Sequence, residues 1–203
     1  MDHGTRPAAD PTPIHALAYQ LYKATPYTAW YLTRPCYNHV KDSACDPLLW
    51  THARYSEQTV DSMASVVNDT IKTIPDISQK KIFLVGYSGG GTLALLMASR
   101  LSKLNGVITI AGNLDTNAWT QLHGYEALSS SLNPLDMKEI PVNHIALVAD
   151  KDTNIPFRIL NQYLTLHPDT IVEHFANYDH VCCWEKNWPA LLNTTLARIN
   201  QPR

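Results

Sequence analysis

The chain has 203 residues, 45% of them apolar, which suits one globular domain with a substantial core. Its net charge of −2 leaves no electrostatic footprint for nucleic acid, and no apolar run approaches the roughly 20 residues that span a bilayer. The opening "MDHGTRPAADPTP" lacks the basic-then-apolar order of a signal peptide, so the chain as it stands is expected to be soluble and without an address.

In chain order, "PIHALAYQLYK" at 13–23 has helical spacing. "YTAWYLT" at 27–33, rich in aromatic and β-branched residues, predicts a strand. After a loop to about Arg54, "SEQTVDSMASVVNDTIKTI" predicts a helix capped by Ser56, with Val60, Met63, Val66, Val67, Ile71 and Ile74 as its apolar stripe. A short buried strand at 81–86 leads through "GYSGG" into a helix over 89–104, apolar nearly all round. "GVITIAG" at 106–112 and "VNHIALVAD" at 142–150 read as buried strands. "IPFRILNQYLTL" reads as a helix, "TIVEHFA" as a strand, and "WEKNWPALLNTTLARI" as a closing helix that Pro189 kinks or splits. Alternating strands and helices predict an α/β fold, a mostly parallel sheet with helices on both faces, in a single domain over 1–203. The irregular section 113–141, between two strands, is a candidate cap or pocket-lining insertion.

Chemistry in such sheets gathers at the carboxyl ends of the strands. A G-x-S-x-G match is weak alone, but Ser88 sits on a strand-to-helix turn, the context a nucleophile elbow requires. Gly86 and Gly90 leave room for a strained turn, and the Gly89 amide at the helix N-terminus is suited to a developing oxyanion. A phosphate-binding reading of the glycines finds no P-loop lysine and no dinucleotide-type spacing. A serine needs a base. Of nine histidines, His180 in "FANYDHVCCW" follows the last strand on a turn, on the same rim as Ser88. His174 falls inside a strand; His123 falls in the 113–141 section, where a plain loop role outweighs an accessory one. The base needs a carboxylate, and "LVADKDTNIP" offers Asp150 and Asp152 after a strand, with Asp115 as runner-up. The order Ser, Asp, His is the α/β-hydrolase order.

These residues resemble the α/β-hydrolase superfamily. "GYSGG" matches its nucleophile elbow, giving Ser88. "ADKDTNIP" is similar to its acid loop, which selects Asp152 over Asp150, and "YDH" is similar to its histidine loop, giving His180. A narrower resemblance, through "YLTRPC…C…LWTHARYSEQTVDSM", "GYSGGGTLALLMA" and "AGNLDTNAWTQLHG…SLNP", is to a group of little-characterised bacterial hydrolases, many with lipoprotein-type signals. The superfamily sheet has eight strands in the order 1-2-4-3-5-6-7-8. The strands predicted here correspond to four to eight, which implies an N-terminally shortened chain. "MDHGTR" is similar to the oxyanion loop that follows strand three, so Gly4, or its neighbours His3 and Thr5, is a candidate second oxyanion donor.

Cys36 and Cys45 flank a polar loop that a disulfide would close, and two free thiols is an equally open reading of the spacing. The narrower resemblance implies a disulfide, and with it a periplasmic or cell-envelope location if an upstream signal precedes this chain; otherwise the location is cytoplasmic. Cys182 and Cys183 have no C-x-x-C spacing, so zinc is not indicated and packing roles are expected. Two N-x-T matches, at Asn68 and Asn193, fall on predicted helices and read as chance. The expectation is a serine hydrolase of esters or thioesters, acting on a small-molecule acyl substrate without metal or organic cofactor. Trp119, Leu122 and Tyr125 are candidate pocket residues, with cap packing as their plainer role. The alternatives are a catalytically weak binding relative and an acyltransferase.

Overall fold

The structure, a computed structural model, describes residues 11–38, 40 and 42–200. Its centre is a four-stranded parallel sheet of β1 (Phe83–Tyr87), β2 (Gly106–Ile110), β3 (Asn143–Ala149) and β4 (Ile171–Phe175), in the spatial order β1-β2-β3-β4. That order matches the run 5-6-7-8 of the eight-strand arrangement implied by the resemblance. Register is continuous: Tyr87 stands opposite Ile110, and Ile110 opposite Leu147.

Strand position explains strand sequence. β2 is buried at every residue and β3 at all but the first, so both read as unbroken apolar runs. β1 and β4 lie at the edges of the described sheet, and there the apolar runs are only partly covered; Val85, read as buried, is 43% exposed.

Helices cover both faces. Against Ile108, Ile110, Ile145 and Leu147 pack α1 (Leu17–Ala24) and α6 (Trp184–Ile199), with Trp184 and Trp188 fully buried. The opposite face, Val107, Ala146 and Val148, packs on α3 (Gly89–Ala98) and on α5 (Asn161–Leu166). Outside α3 lies α2 (Glu57–Lys72), joined to it through Val60, Met63, Leu93, Leu96 and Met97. Ser56 caps α2 by accepting the Thr59 amide proton at 3.3 Å, a contact whose removal costs about 1 kcal/mol. Arg100 ties α2 to the end of α3 through Glu57 and Asp61. α4 (Thr116–His123) and a short turn of 3-10 helix at Pro134–Asp136 occupy the section between β2 and β3.

Several elements depart from the sequence reading. Residues 27–33 form no strand. The Tyr27 hydroxyl bonds Asn193 on α6, Tyr31 packs its ring on Tyr19 and Tyr22 of α1, and Leu32 joins the α2–α3 cluster. The segment therefore carries the chain from one face of the sheet to the other, with Trp30 57% exposed, and its β-type composition serves aromatic packing rather than a ladder. The helix after Ser88 ends at Ala98, not 104, because the chain turns back into β2 through an Asn105 amide bonded to Ile82. Only 161–166 of the predicted 155–166 helix is α-helical; 157–160 is 3-10. Pro189 neither splits nor ends α6, which runs unbroken over 16 residues. Cys36 and Cys45 are disulfide-bonded. Cys182 and Cys183, expected as packing residues, are bonded to each other across a cis peptide. No described helix is long and apolar enough to cross a membrane.

Candidate active site

The carboxyl end of the sheet collects the site. β1 delivers Ser88 on a turn with φ 52°, a conformation rare for a side-chain-bearing residue and worth about 1–3 kcal/mol of strain. Neighbouring backbone holds it there. The Ser88 amide donates to the Ile110 carbonyl at 2.9 Å, while the Ser88 carbonyl accepts from Gly91 at 2.9 Å and Asn113 at 3.2 Å. Gly86 is obligatory, since a Cβ there would overlap the Gly90 backbone.

His180 follows β4 and Asp152 follows β3. His180 Nε2 stands 3.1 Å from Ser88 Oγ, and its Nδ1 stands 2.7 Å from Asp152 Oδ2. Because a carboxylate only accepts, Nδ1 carries the proton and Nε2 is left to accept the serine proton. The Asp152 side chain is 1% exposed and that of His180 13%. The second carboxylate oxygen, Oδ1, accepts the amides of Asn154 and Ile155, both at 2.8 Å, so the acid is held on both sides.

Tyr87, inside the elbow motif, adds a brace that the motif alone does not disclose. Its hydroxyl donates to the His180 carbonyl at 3.0 Å, and its ring lies 5.1 Å from the imidazole. Burial first, then the negative charges of Asp152 and Asp179, push this phenol far above its ordinary pKa, so it stays a donor. Asp179 closes the same turn by accepting the amides of Val181 and Cys182, which, with His180 and Lys151 nearby, lowers its pKa despite a small opposing desolvation.

The other candidates are occupied elsewhere. Asp115 caps α4, accepting the amides of Asn117 and Ala118, and does not meet His180. Asp150 pairs with His174 at 2.7 Å on the outer side of β4. His144 is buried in β3, bonded to Thr109 and Tyr163, and burial lowers its pKa to about 3. Trp119 and Leu122 pack on the core face of α4. The Trp119 indole donates to Asn154 Oδ1 at 3.2 Å, His123 Nε2 lies 2.8 Å from the Asn154 carbonyl, and Tyr125 stacks on His123. The section 113–141 thereby docks α4 on the acid loop. Gly4, His3 and Thr5 lie outside the described residues. Among the described residues, no group of three or more His, Cys, Asp or Glu side chains is arranged to hold a metal ion.

The family model for dienelactone hydrolases matches residues 15–186, spanning all four strands, Ser88, Asp152 and His180. The chain belongs to the dienelactone hydrolase family. Solved structures share its fold. A Pyrococcus furiosus esterase matches at TM-score 0.54 with 12% identity, over 72% of this chain and 63% of that one. A lipase-esterase related protein from Clostridium acetobutylicum matches at TM-score 0.55 with 14% identity, over 90% and 88%. Mouse alpha/beta hydrolase domain-containing protein 10 matches at TM-score 0.51 with 22% identity, over 70% and 69%. This dienelactone hydrolase family member thus spans less than two thirds of the Pyrococcus esterase's length. No curated protein matches its sequence.

Proposed function

We propose that the protein is a serine hydrolase that cleaves a carboxylic ester or thioester through an acyl-enzyme on Ser88. The observation that carries this reading is the bridging position of His180, 3.1 Å from Ser88 Oγ and 2.7 Å from Asp152 Oδ2. His180 takes the serine proton as Oγ attacks the carbonyl, then returns it to the leaving group, while Asp152 stabilises the imidazolium. Water repeats the sequence on the acyl-enzyme. The Gly89 amide, at the N-terminus of α3, faces the developing oxyanion. Family membership and the likeness to proteins described as esterases support this chemistry. Trp119 and Tyr125, on and just after α4, with Leu122 behind them, are the residues proposed to line the acyl side of the site.

A fluorophosphonate probe tests the reading directly. Wild type labels and Ser88→Ala does not, and a panel of acyl-chain esters loses turnover in parallel. A folded protein that takes no Ser88-dependent label is a binding relative rather than an enzyme. Product analysis with added alcohols separates hydrolysis from transfer to another acceptor.

A further inference from the structure

Gly89 offers one amide to the oxyanion, and a second polar group reaches the same place from a part of the chain outside the elbow, the acid loop and the histidine loop. A Cβ on Gly89 would overlap the Tyr55 hydroxyl oxygen, while the ring atoms Cζ and Cε1 stand back at 3.4 and 3.6 Å. The tyrosine therefore meets Gly89 end-on, hydroxyl first. A Cβ stands about 2.5 Å from its own amide nitrogen, which puts the hydroxyl within about 5 Å of the Gly89 nitrogen. Two donors at that separation converge on one oxygen at the roughly 2.7–3.1 Å an oxyanion requires.

Tyr55 is fixed. It is 4% exposed, and its ring packs with Val60, Met63, Leu93 and Leu96. Its amide donates to Ser131 Oγ at 3.1 Å and its carbonyl accepts from Leu132 at 2.9 Å. Among the described residues nothing hydrogen-bonds the hydroxyl. A buried ring with an unpartnered donor at its tip, aimed at the residue after the nucleophile, is what electrostatic preorganisation calls for.

We propose that the Tyr55 hydroxyl is the second oxyanion donor, acting with the Gly89 amide; this rests on the acyl-enzyme reading above. As Ser88 Oγ bonds the carbonyl carbon, the C=O π pair moves to oxygen and the serine proton moves to His180 Nε2. The oxyanion accepts hydrogen bonds from Gly89 N–H and Tyr55 O–H, with no proton transferred from either. Collapse restores C=O, and the departing alkoxide or thiolate takes the proton from His180.

The test compares wild type, Ser88→Ala and Tyr55→Phe on p-nitrophenyl esters, with phenylboronic acid as a tetrahedral analogue and a thermal melt of each protein. Tyr55→Phe keeps the ring. It is expected to lower kcat about 10²-fold with KM within about threefold, to weaken phenylboronic acid at least about tenfold, and to leave the melt unchanged. Ser88-dependent turnover with kcat unchanged in Tyr55→Phe overturns the Tyr55 assignment alone. A wild type no faster than Ser88→Ala overturns the acyl-enzyme reading and Tyr55's role with it. Should Tyr55→Phe melt low, 3-fluorotyrosine at residue 55 keeps shape and hydroxyl; a changed boronate affinity supports the assignment, and an unchanged one overturns it.

Discussion

The two sides of Ser88 are built differently. On the histidine side, Tyr87, Asp152 and His180 each come from the end of a sheet strand, and hydrogen bonds of 2.7–3.1 Å join them into one chain. On the proposed oxyanion side, Gly89 opens a helix, and Tyr55 is set by contacts to Ser131 and Leu132, 76 or more residues further along. One side inherits its precision from the sheet, whose strand ends are placed by register. The other depends on two loops closing over α2 and α3, and its geometry is only as good as that closure.

The largest effect should come from breaking the sheet-built side. Asp152→Asn removes the charge that fixes the His180 tautomer, and kcat is expected to fall about 10⁴-fold with little change in melting temperature; steady-state kinetics beside a melt decides it. On the loop-built side, Gly89→Ala drives a Cβ into the Tyr55 hydroxyl and should cost about 1–3 kcal/mol of stability. In the Tyr55→Phe background the nearest ring carbon sits at ordinary contact, so most of that loss should vanish. Additive losses in a denaturant-melt double-mutant cycle would mean the two residues do not meet.

Tyr87→Phe sharpens the comparison from within the sheet-built side. It frees the His180 carbonyl while leaving Nδ1 and Nε2 bonded, so kcat should drop about tenfold with KM unchanged, a loss of about 1.4 kcal/mol. An unaltered kcat would show that Asp152 alone positions the imidazole. The smallest effect near neutral pH lies away from both sides. His144 has a folded pKa of about 3 against an ordinary value of about 6.5, so the unfolded chain binds the extra proton. Nothing is lost above about pH 6.5. Below it, stability falls by up to about 1.4 kcal/mol per pH unit until about pH 3. That share of the slope should disappear in His144→Gln, read from melting temperatures across the window.

Sequence reading located what repeats at short range or in a known order. β2 and β3 were legible as apolar runs because both their faces are covered, and Ser56 was legible as a cap because its partner is three residues away. Ser88 and His180 were singled out by strand ends and chain order, and Asp152 over Asp150 by the resemblance to the acid loop. Residues 27–33 misled because aromatic and β-branched residues suit a surface crossing as well as a ladder. Asp115 competed with Asp152 until its α4 amides accounted for it. Tyr55 lies in the stretch that carries the narrower resemblance, yet nothing in "THARYSEQ" says that its ring reaches Gly89, a proximity that only the packing of α2 on α3 creates.

Eight of the ten residues of α3 are buried, with Leu95 against the sheet and Leu93 and Met97 against α2. A helix gripped on opposite sides makes the serine a fixed datum, because shifting it would mean repacking two layers at once. Changes in acyl preference are thus expected in the stretch 117–126, whose Trp119 and His123 meet the acid loop at Asn154. A library aimed at new substrates should randomise 117–126 and leave 86–98, Asp152 and His180 alone.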